Sequence, residues 1–370
     1  MCERETPYCP ECRQMPALWP ATNEETAPSA RGTTTGGPDR RQFIRMMGGT
    51  AATLALIGGA GGSAFAAEPA ATKATKAAAK PKPAEDLIRE LFTTLTDEQK
   101  GNLVLPWNHG EGDNRIPTRR GMYNSPLRNQ RIADHYTAGQ QELVQRILKS
   151  ICNGEEGYQR ISRDGTWDNS KTFDGCGAHI FGDPTDGDKF AWLFTGHHLT
   201  VRCDGNSEPG AAFGGPLYYG HLKRGWAKSN VFHYQTMSAQ KVYEALDGKQ
   251  REKATLDGSP GEHAKSIQLP GDKAKPGIAY ADLSADQRKV VEQLMRDVLS
   301  PFRAADGDEV MQIIKATGGM EKIHLAFYNE GSGDPDEPWH FWRLEGPGFV
   351  WNFRILPHVH CYVNIADRTA

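Results

Sequence analysis

Closely spaced histidines are the feature of this 370-residue chain that could carry chemistry. His358 and His360 are separated by a single residue. In a β-strand, where side chains alternate between the two faces, this spacing places both imidazoles on one face together with Tyr362. Two imidazoles on one face can bind one metal ion, so this pair is the most specific local geometry in the sequence.

Three more histidines could complete such a site. His197 and His198 are adjacent, and His340 begins an aromatic-rich segment. Together with the H-x-H pair they offer three or four nitrogen ligands, as in a zinc or copper site with an open coordination position. The predicted metal ligands are His197, His198, His340, His358 and His360.

A purely structural role is the alternative for these residues. His340 alternates with Trp342, and His197 alternates with Leu199, so each could be a hydrogen-bonded core residue without a metal. The seven other histidines stand singly and are interpreted as surface or core residues. Two of them are the strongest exceptions: His179 and His233.

Charged and aromatic residues near these motifs have two interpretations each. Arg343 and Glu345 share one face of a predicted strand and could hold a substrate carboxylate or orient a ligand histidine. A cross-strand ion pair is the simpler interpretation. Tryptophans predict a packed aromatic core, with a platform for a sugar or aromatic substrate as the alternative: Trp192, Trp339, Trp342 and Trp351.

Several functional classes are excluded. The sequence has no Walker loop, no HExxH motif, no nucleophile elbow and no dinucleotide-binding glycine motif in a suitable context. A net charge of −3 provides no basic surface for nucleic acid. With 38% hydrophobic and 24% charged residues, the composition is that of a globular protein.

Residues 1–66 predict a twin-arginine-type signal peptide with a long leader. Arg40 and Arg41 precede an apolar stretch, and residues 64–66 form a small-residue cleavage site. The glycine-containing stretch is too short for a membrane span, so no span is expected after cleavage. We expect a periplasmic or secreted protein whose partner is the twin-arginine export machinery, a route that carries folded proteins and permits cofactor loading before export.

The rest of the chain is divided into a linker and one large domain. Residues 67–84 are an Ala/Lys/Pro linker, and residues 85–370 form the domain. Capping-box patterns predict helix starts at Thr96, Thr137, Ser284 and Asp306. Strands are predicted in two blocks, 178–203 and 323–363, with helices between them. This order predicts an α+β fold with a mainly antiparallel sheet flanked by helices.

Four cysteines remain after the leader: Cys152, Cys176, Cys203 and Cys361. An oxidising compartment would permit two disulfides, and free buried thiols are equally compatible with a domain of this size. The sequence leaves the choice open.

The chain resembles a bacterial family known as domain-of-unknown-function 3500. The resemblance rests on the helix pair around 91–99, Phe181–Pro184, Gly196–Leu199, His340–Pro347 and His358–His360. It implies a domain that begins near residue 85 and contains all the histidine motifs. It implies no activity.

We therefore expect an exported metalloprotein that acts on an unidentified small molecule. Zinc would imply hydrolysis by a metal-activated water, and copper would imply an oxidoreductase. The alternative is a non-catalytic envelope protein that binds a ligand or partner and whose histidines are structural.

Overall fold

One broad β-sheet organises the part of the chain that the structure, a computed structural model, describes. The described residues are 83–112, 115–185, 187, 189–262, 267–330 and 336–367. The predicted signal peptide and nearly all of the predicted linker lie outside these ranges. Within them, no helix is both long and apolar enough to cross a bilayer.

The helices of the described ranges precede or separate the strand blocks. They are α1 (Ala84–Thr94), α2 (Asp97–Leu103), α3 (Ile132–His135), α4 (Ala138–Ile151), α5 (Gly154–Ser162), α6 (His233–Ala245), α7 (Gly248–Ala254), α8 (Ala285–Leu299) and α9 (Ala304–Ala316).

The strands of the same ranges join into one sheet. They are β1 (Val104–Leu105), β2 (Gly177–Gly182), β3 (Phe190–Gly196), β4 (Leu199–Cys203), β5 (Leu217–His221), β6 (Thr255–Leu256), β7 (Ile278–Ala279), β8 (His324–Tyr328), β9 (Phe341–Gly346), β10 (Phe349–Arg354) and β11 (Val359–Ile365).

The sheet is antiparallel except near its two edges. Its order is β1-β2-β3-β4-β5-β11-β10-β9-β8-β6, with β7 paired to β8. The pairs β1–β2 and β6–β8 are parallel, and the longer strands pair antiparallel. The predicted α+β fold with a mainly antiparallel sheet is confirmed.

The two faces of the sheet differ in chemistry. One face carries large apolar side chains such as Trp192, Phe194 and Trp351, which belong to the main core together with the apolar sides of α1, α4, α6 and α8. The opposite face carries polar groups on the alternate residues, among them Thr200 and Tyr362. We call this second surface the polar face.

The two halves of the described chain repeat one plan. The first half runs α1-α2-β1, then α4-α5, then the four strands β2 to β5; the second runs α6-α7-β6, then α8-α9, then β8 to β11. In each half a helix pair packs together, α1 with α4 and α6 with α8. The antiparallel β5–β11 pair joins the halves at the centre of the sheet.

Four capping boxes of one type fix the helix starts in both halves, and their glutamines interlock. Gln99 and Gln140 exchange side-chain amide hydrogen bonds of 2.7 and 3.0 Å, and Gln250 and Gln287 do the same at 3.1 and 2.6 Å. Each glutamine also accepts the backbone N–H of its own N-cap residue. The boxes predicted at Thr96, Thr137 and Ser284 are therefore confirmed.

The fourth box differs from the prediction. It begins at Asp247, whose side chain accepts the N–H of Gln250. The box predicted at Asp306 is wrong, because α9 already begins at Ala304 and the Asp306 carboxylate binds Arg303 instead. The Asp306 carboxylate thus binds the Arg303 side chain and not the backbone N–H group that the capping-box pattern predicted.

The cysteines and tryptophans have buried positions. Cys152, Cys176, Cys203 and Cys361 are buried, and none of the four is in a disulfide. The four tryptophans discussed above are also fully buried. Their burial supports the packed aromatic core rather than an exposed substrate platform.

Removing one interlocked glutamine should destabilise the fold. Gln140→Ala loses bonds to Gln99, to the Thr94 carbonyl and to the Thr137 N–H. We expect the free energy of unfolding to fall by about 2–3 kcal/mol in urea denaturation, since buried groups are left without partners. Gln287→Ala, the matched change in the second half, should cost about the same. Losses below about 0.5 kcal/mol in both variants would contradict a structural role for the glutamine pairs.

Candidate metal centre

Three of the predicted histidines meet on the polar face. His360 lies on β11, His358 directly precedes that strand, and His198 lies in the turn between β3 and β4. The Nε2 atom of His360 is 3.2 Å from Nε2 of His198 and 2.9 Å from Nε2 of His358. All three side chains are buried.

A glycine between the strands permits this approach. Gly220 of β5 lies opposite His360 in the register, and its N–H donates to the carbonyl of His198 at 3.0 Å. A Cβ atom at Gly220 would lie 2.2 Å from the carbonyl oxygen of Val359 and 3.4 Å from the Cβ of His198. Because this central position has no side chain, the two imidazoles reach each other across β5.

Two carboxylates fix the tautomers of the converging imidazoles. His198 Nδ1 donates to Asp168 at 2.8 Å, and His360 Nδ1 donates to Glu262 at 2.8 Å. A carboxylate can only accept, so we assign the proton of each neutral ring to Nδ1. Each Nε2 atom is then left with its lone pair directed at the cluster.

Burial keeps these rings neutral. It lowers the pKa of His358 to about 4 and holds the pKa values of His198 and His360 well below their ordinary value. The lone pairs of His198 and His360 therefore face each other at 3.2 Å, which is unfavourable unless a cation or a donor lies between them. Neutral imidazole is also the form that binds metals.

The spacing of the nitrogens suits a small metal ion. Metal–nitrogen bonds of about 2.0–2.1 Å at tetrahedral angles place neighbouring nitrogens about 3.3 Å apart. Two of the Nε2 separations are 3.2 and 2.9 Å, and one ring nitrogen from each of the three histidines lies within 4.8 Å of the other two. The cluster therefore matches a three-histidine centre with an open position.

Asp168 contacts several buried charged and imidazole groups beside the cluster. Besides His198, it accepts Nδ1 of His221 at 2.8 Å, and Nε of Arg163 lies 3.6 Å away. Burial alone would raise the pKa of Asp168, but the hydrogen bonds from both histidines and the Arg163 charge hold it far below its usual range. The backbone φ angles of Asp168 and its neighbour Trp167 are +47° and +53°, in the left-handed region. Asp168 therefore lies in a constrained turn.

The other two predicted ligands are not part of the three-histidine cluster. The ring of His197 packs 3.8 Å from that of His198, centroid to centroid, and its Nδ1 accepts the N–H of Asn169 at 3.3 Å. His197 groups with Asp168 and His198, a second set of possible ligand atoms, but not with the H-x-H pair. His340 belongs to neither set in the described ranges and borders a cavity instead.

The residues predicted to assist the ligands are also away from the cluster. Arg343 and Glu345 form a buried ion pair of 2.9 Å. The pair lies within β9 rather than across two strands, because residues two apart share a face. The two single histidines singled out above are also outside the cluster. His179, on β2, is hydrogen-bonded to Gln130, and His233 lies at the start of α6.

Sequence patterns did not reveal three functional residues. Asp168 begins a short 3-10 helix and Glu262 lies in a loop, both far along the chain from the histidines they bind. His221 ends β5, a strand that was not predicted. An acidic residue partnering a buried histidine has no fixed sequence spacing. The Gly220-His221 pair in an aromatic segment is the one local feature that could have indicated them.

A cavity of about 820 Å³ adjoins the cluster. Its wall includes Glu262 and Arg354, which also contact the ligand histidines, and His340, Arg224 and Glu330. Such a volume is that of a small-molecule site. The Glu262–Arg354 pair therefore separates the histidine cluster from a space large enough for a substrate.

The fold and this centre define an α+β protein with a buried three-histidine cluster beside a cavity. Residues 85–364 match the family described as protein of unknown function (DUF3500). The chain therefore belongs to that family, and the resemblance is confirmed. No curated protein and no solved structure matches the chain significantly.

Acid should destabilise the metal-free protein through its buried neutral histidines. Burial lowers the pKa of His179 to about 3 and that of His197 to about 4, whereas an unfolded histidine titrates near 6.5. Below pH 6.5 the unfolded chain binds protons that the native state excludes, so the free energy of unfolding falls with pH by about 1.4 kcal/mol per pH unit for each such residue. The effect disappears above that pH.

Urea denaturation between pH 7.5 and 5 measures this slope while ordinary carboxylates stay ionised. His179→Gln should reduce the slope by up to about 1.4 kcal/mol per pH unit toward pH 5, where the unfolded histidine is almost fully protonated. An unchanged slope in this variant would show that His179 is protonated in the native state.

Proposed function

We propose that this protein binds one transition-metal ion through His198, His358 and His360. The observation that carries the proposal is the facing of lone pairs: Nε2 of His198 and Nε2 of His360 lie 3.2 Å apart while both Nδ1 atoms are engaged by carboxylates. A metal ion would convert this repulsion into coordination. The carboxylate–histidine contacts are those that orient ligands in metal centres.

Zinc is the occupant that the arrangement favours. Three neutral imidazoles with near-tetrahedral nitrogen spacing and an open position are typical of catalytic zinc. Bound there, zinc would lower the pKa of a coordinated water and support hydrolysis. The residues of the chain would hold the ion, orient the imidazoles through Asp168 and Glu262, and exclude bulk water by burial.

Copper is the second candidate, with an oxidoreductase activity. Imidazole ligands suit copper as well as zinc. The predicted twin-arginine signal peptide favours a folded protein that is loaded with its cofactor before export, and we propose a periplasmic or secreted location on that basis. A cysteine ligand is absent from the described cluster, which argues against an electron-transfer copper site of the His₂Cys type.

A non-catalytic binding protein with structural histidines is the competing function. It requires that the imidazoles be satisfied without an ion. The Nη2 atom of Arg354 lies 3.1 Å from Nε2 of His360 and 3.4 Å from Nε2 of His358, so one guanidinium could serve as the donor. Metal analysis distinguishes the two functions.

The purified full chain, expressed with its signal peptide, should contain close to one equivalent of zinc or copper by elemental analysis. His360→Gln should lose most of this metal because one of three nitrogens is removed. His179→Gln is the matched control, since it changes a buried histidine of the same sheet outside the cluster. Less than a tenth of an equivalent in the wild-type protein, even after reconstitution, would overturn the metal proposal.

Loss of the Asp168 charge should weaken metal binding without abolishing it. Asp168→Asn keeps the shape of the side chain but removes the carboxylate that orients His198, and we expect the metal dissociation constant to rise about 10- to 100-fold. Competition with a chromophoric chelator measures it. Asp306→Asn alters a buried aspartate on α9 that is ion-paired with Arg303, and it should leave the metal dissociation constant unchanged. Equal effects of both changes would indicate a stability effect alone.

A further inference from the structure

Arg354 occupies an unusual position for a cation. Its Nη2 atom approaches the Nε2 atoms of His360 and His358, the same atoms that would ligate a metal, at 3.1 and 3.4 Å. Its Nη1 atom donates to Glu262 at 2.5 Å. The guanidinium is buried, and an arginine side chain carries a positive charge. A permanent positive charge therefore lies directly beside the candidate metal position.

The charges around the centre balance before any ion is added. Asp168 and Glu262 provide two negative charges, and Arg163 and Arg354 provide two positive ones. A divalent ion would add two uncompensated charges to a buried site, within a few ångströms of the Arg354 guanidinium. In a low-dielectric interior such like charges repel strongly unless an anion lies between them.

A space that an anion could enter lies beside the two charged residues that contact the cluster. Arg354 and Glu262 form the boundary between the histidines and the cavity of about 820 Å³. The cavity wall also includes His340 and the charged residues Arg224 and Glu330. These groups could bind the polar parts of a small molecule whose anionic end reaches Arg354.

We propose that Arg354 binds an oxyanion at the open coordination position, and that the substrate or ligand of this site is a small molecule carrying a carboxylate. The inference rests on the proposed metal centre. A guanidinium and a metal ion that flank an anion neutralise it. Nη2 of Arg354 is the donor directed at the cluster, whereas Nη1 is engaged by Glu262 and Nε lies 3.4 Å from the His358 carbonyl oxygen. An anion that enters through the cavity would meet the Arg354–Glu262 pair first, which explains why this pair lies at the cavity wall.

Cobalt substitution provides a spectroscopic test. The full chain loaded with Co²⁺ is titrated with acetate, with inorganic phosphate and with neutral acetamide, and the visible absorption bands are followed. We expect saturable shifts with acetate, weaker or equal shifts with phosphate, and none with acetamide. A response to phosphate alone would overturn the carboxylate assignment.

Variants of Arg354 separate anion binding from metal binding. Arg354→Gln should weaken acetate binding about 10- to 100-fold, because a charged hydrogen bond is lost, while cobalt binds as tightly as in the wild-type protein or more tightly. Arg354→Lys retains the charge but not the planar guanidinium and should give an intermediate affinity. Arg288→Gln, which removes an arginine ion-paired with Glu321 and outside the cavity lining, is the control and should leave both affinities unchanged.

The possible failures are distinct. If the wild-type protein binds no cobalt, zinc or copper, the metal centre is wrong and this inference falls with it. If metal binds but acetate leaves the spectrum unchanged, or if Arg354→Gln responds to acetate as strongly as the wild-type protein, the metal centre stands and the oxyanion site is wrong. A purely structural role of Arg354 would lower metal and anion affinity together.

Discussion

The antiparallel pairing of β5 with β11 is the contact on which the rest of the structure depends. It joins the two halves into one sheet, and it places Gly220 opposite His360 and hydrogen-bonded to the His198 carbonyl. A side chain at this one position would collide with the Val359 carbonyl and keep the imidazoles apart. The stability of the sheet and the geometry of the cluster therefore depend on the same absence of a Cβ atom.

Local patterns predicted those parts of the structure that local physics determines. Alternation along a strand put His358 and His360 on one face, and side chain–backbone competition at helix starts located three of the four capping boxes. The polar face was also predictable, since a strand that alternates Trp351 and Phe353 with Asn352 and Arg354 has two unlike sides. Such features need only a few adjacent residues.

Contacts between distant segments could not be predicted from local sequence patterns. The strand β5 has five residues, contains a glycine, and ends in the His221 that binds Asp168, so its sequence has no clear strand pattern. His340 shares a motif with buried tryptophans, yet it directly precedes β9 and borders the cavity. Which histidines converge is decided by strand order, and strand order follows from packing of both halves rather than from any one segment.

The repeat also explains why the three-histidine cluster is not formed once in each half of the described chain. The hairpin turn that carries His198 in the first half corresponds, through the strand registers, to the turn between β9 and β10, where Gly348 takes the equivalent place. The position equivalent to His360 falls before β5, at Gly214. Each half therefore supplies a different part of the cluster, His198 from one and the H-x-H pair from the other. Neither half contains all three histidines of the cluster, which forms because the β5–β11 pair brings unlike pieces of two like halves together.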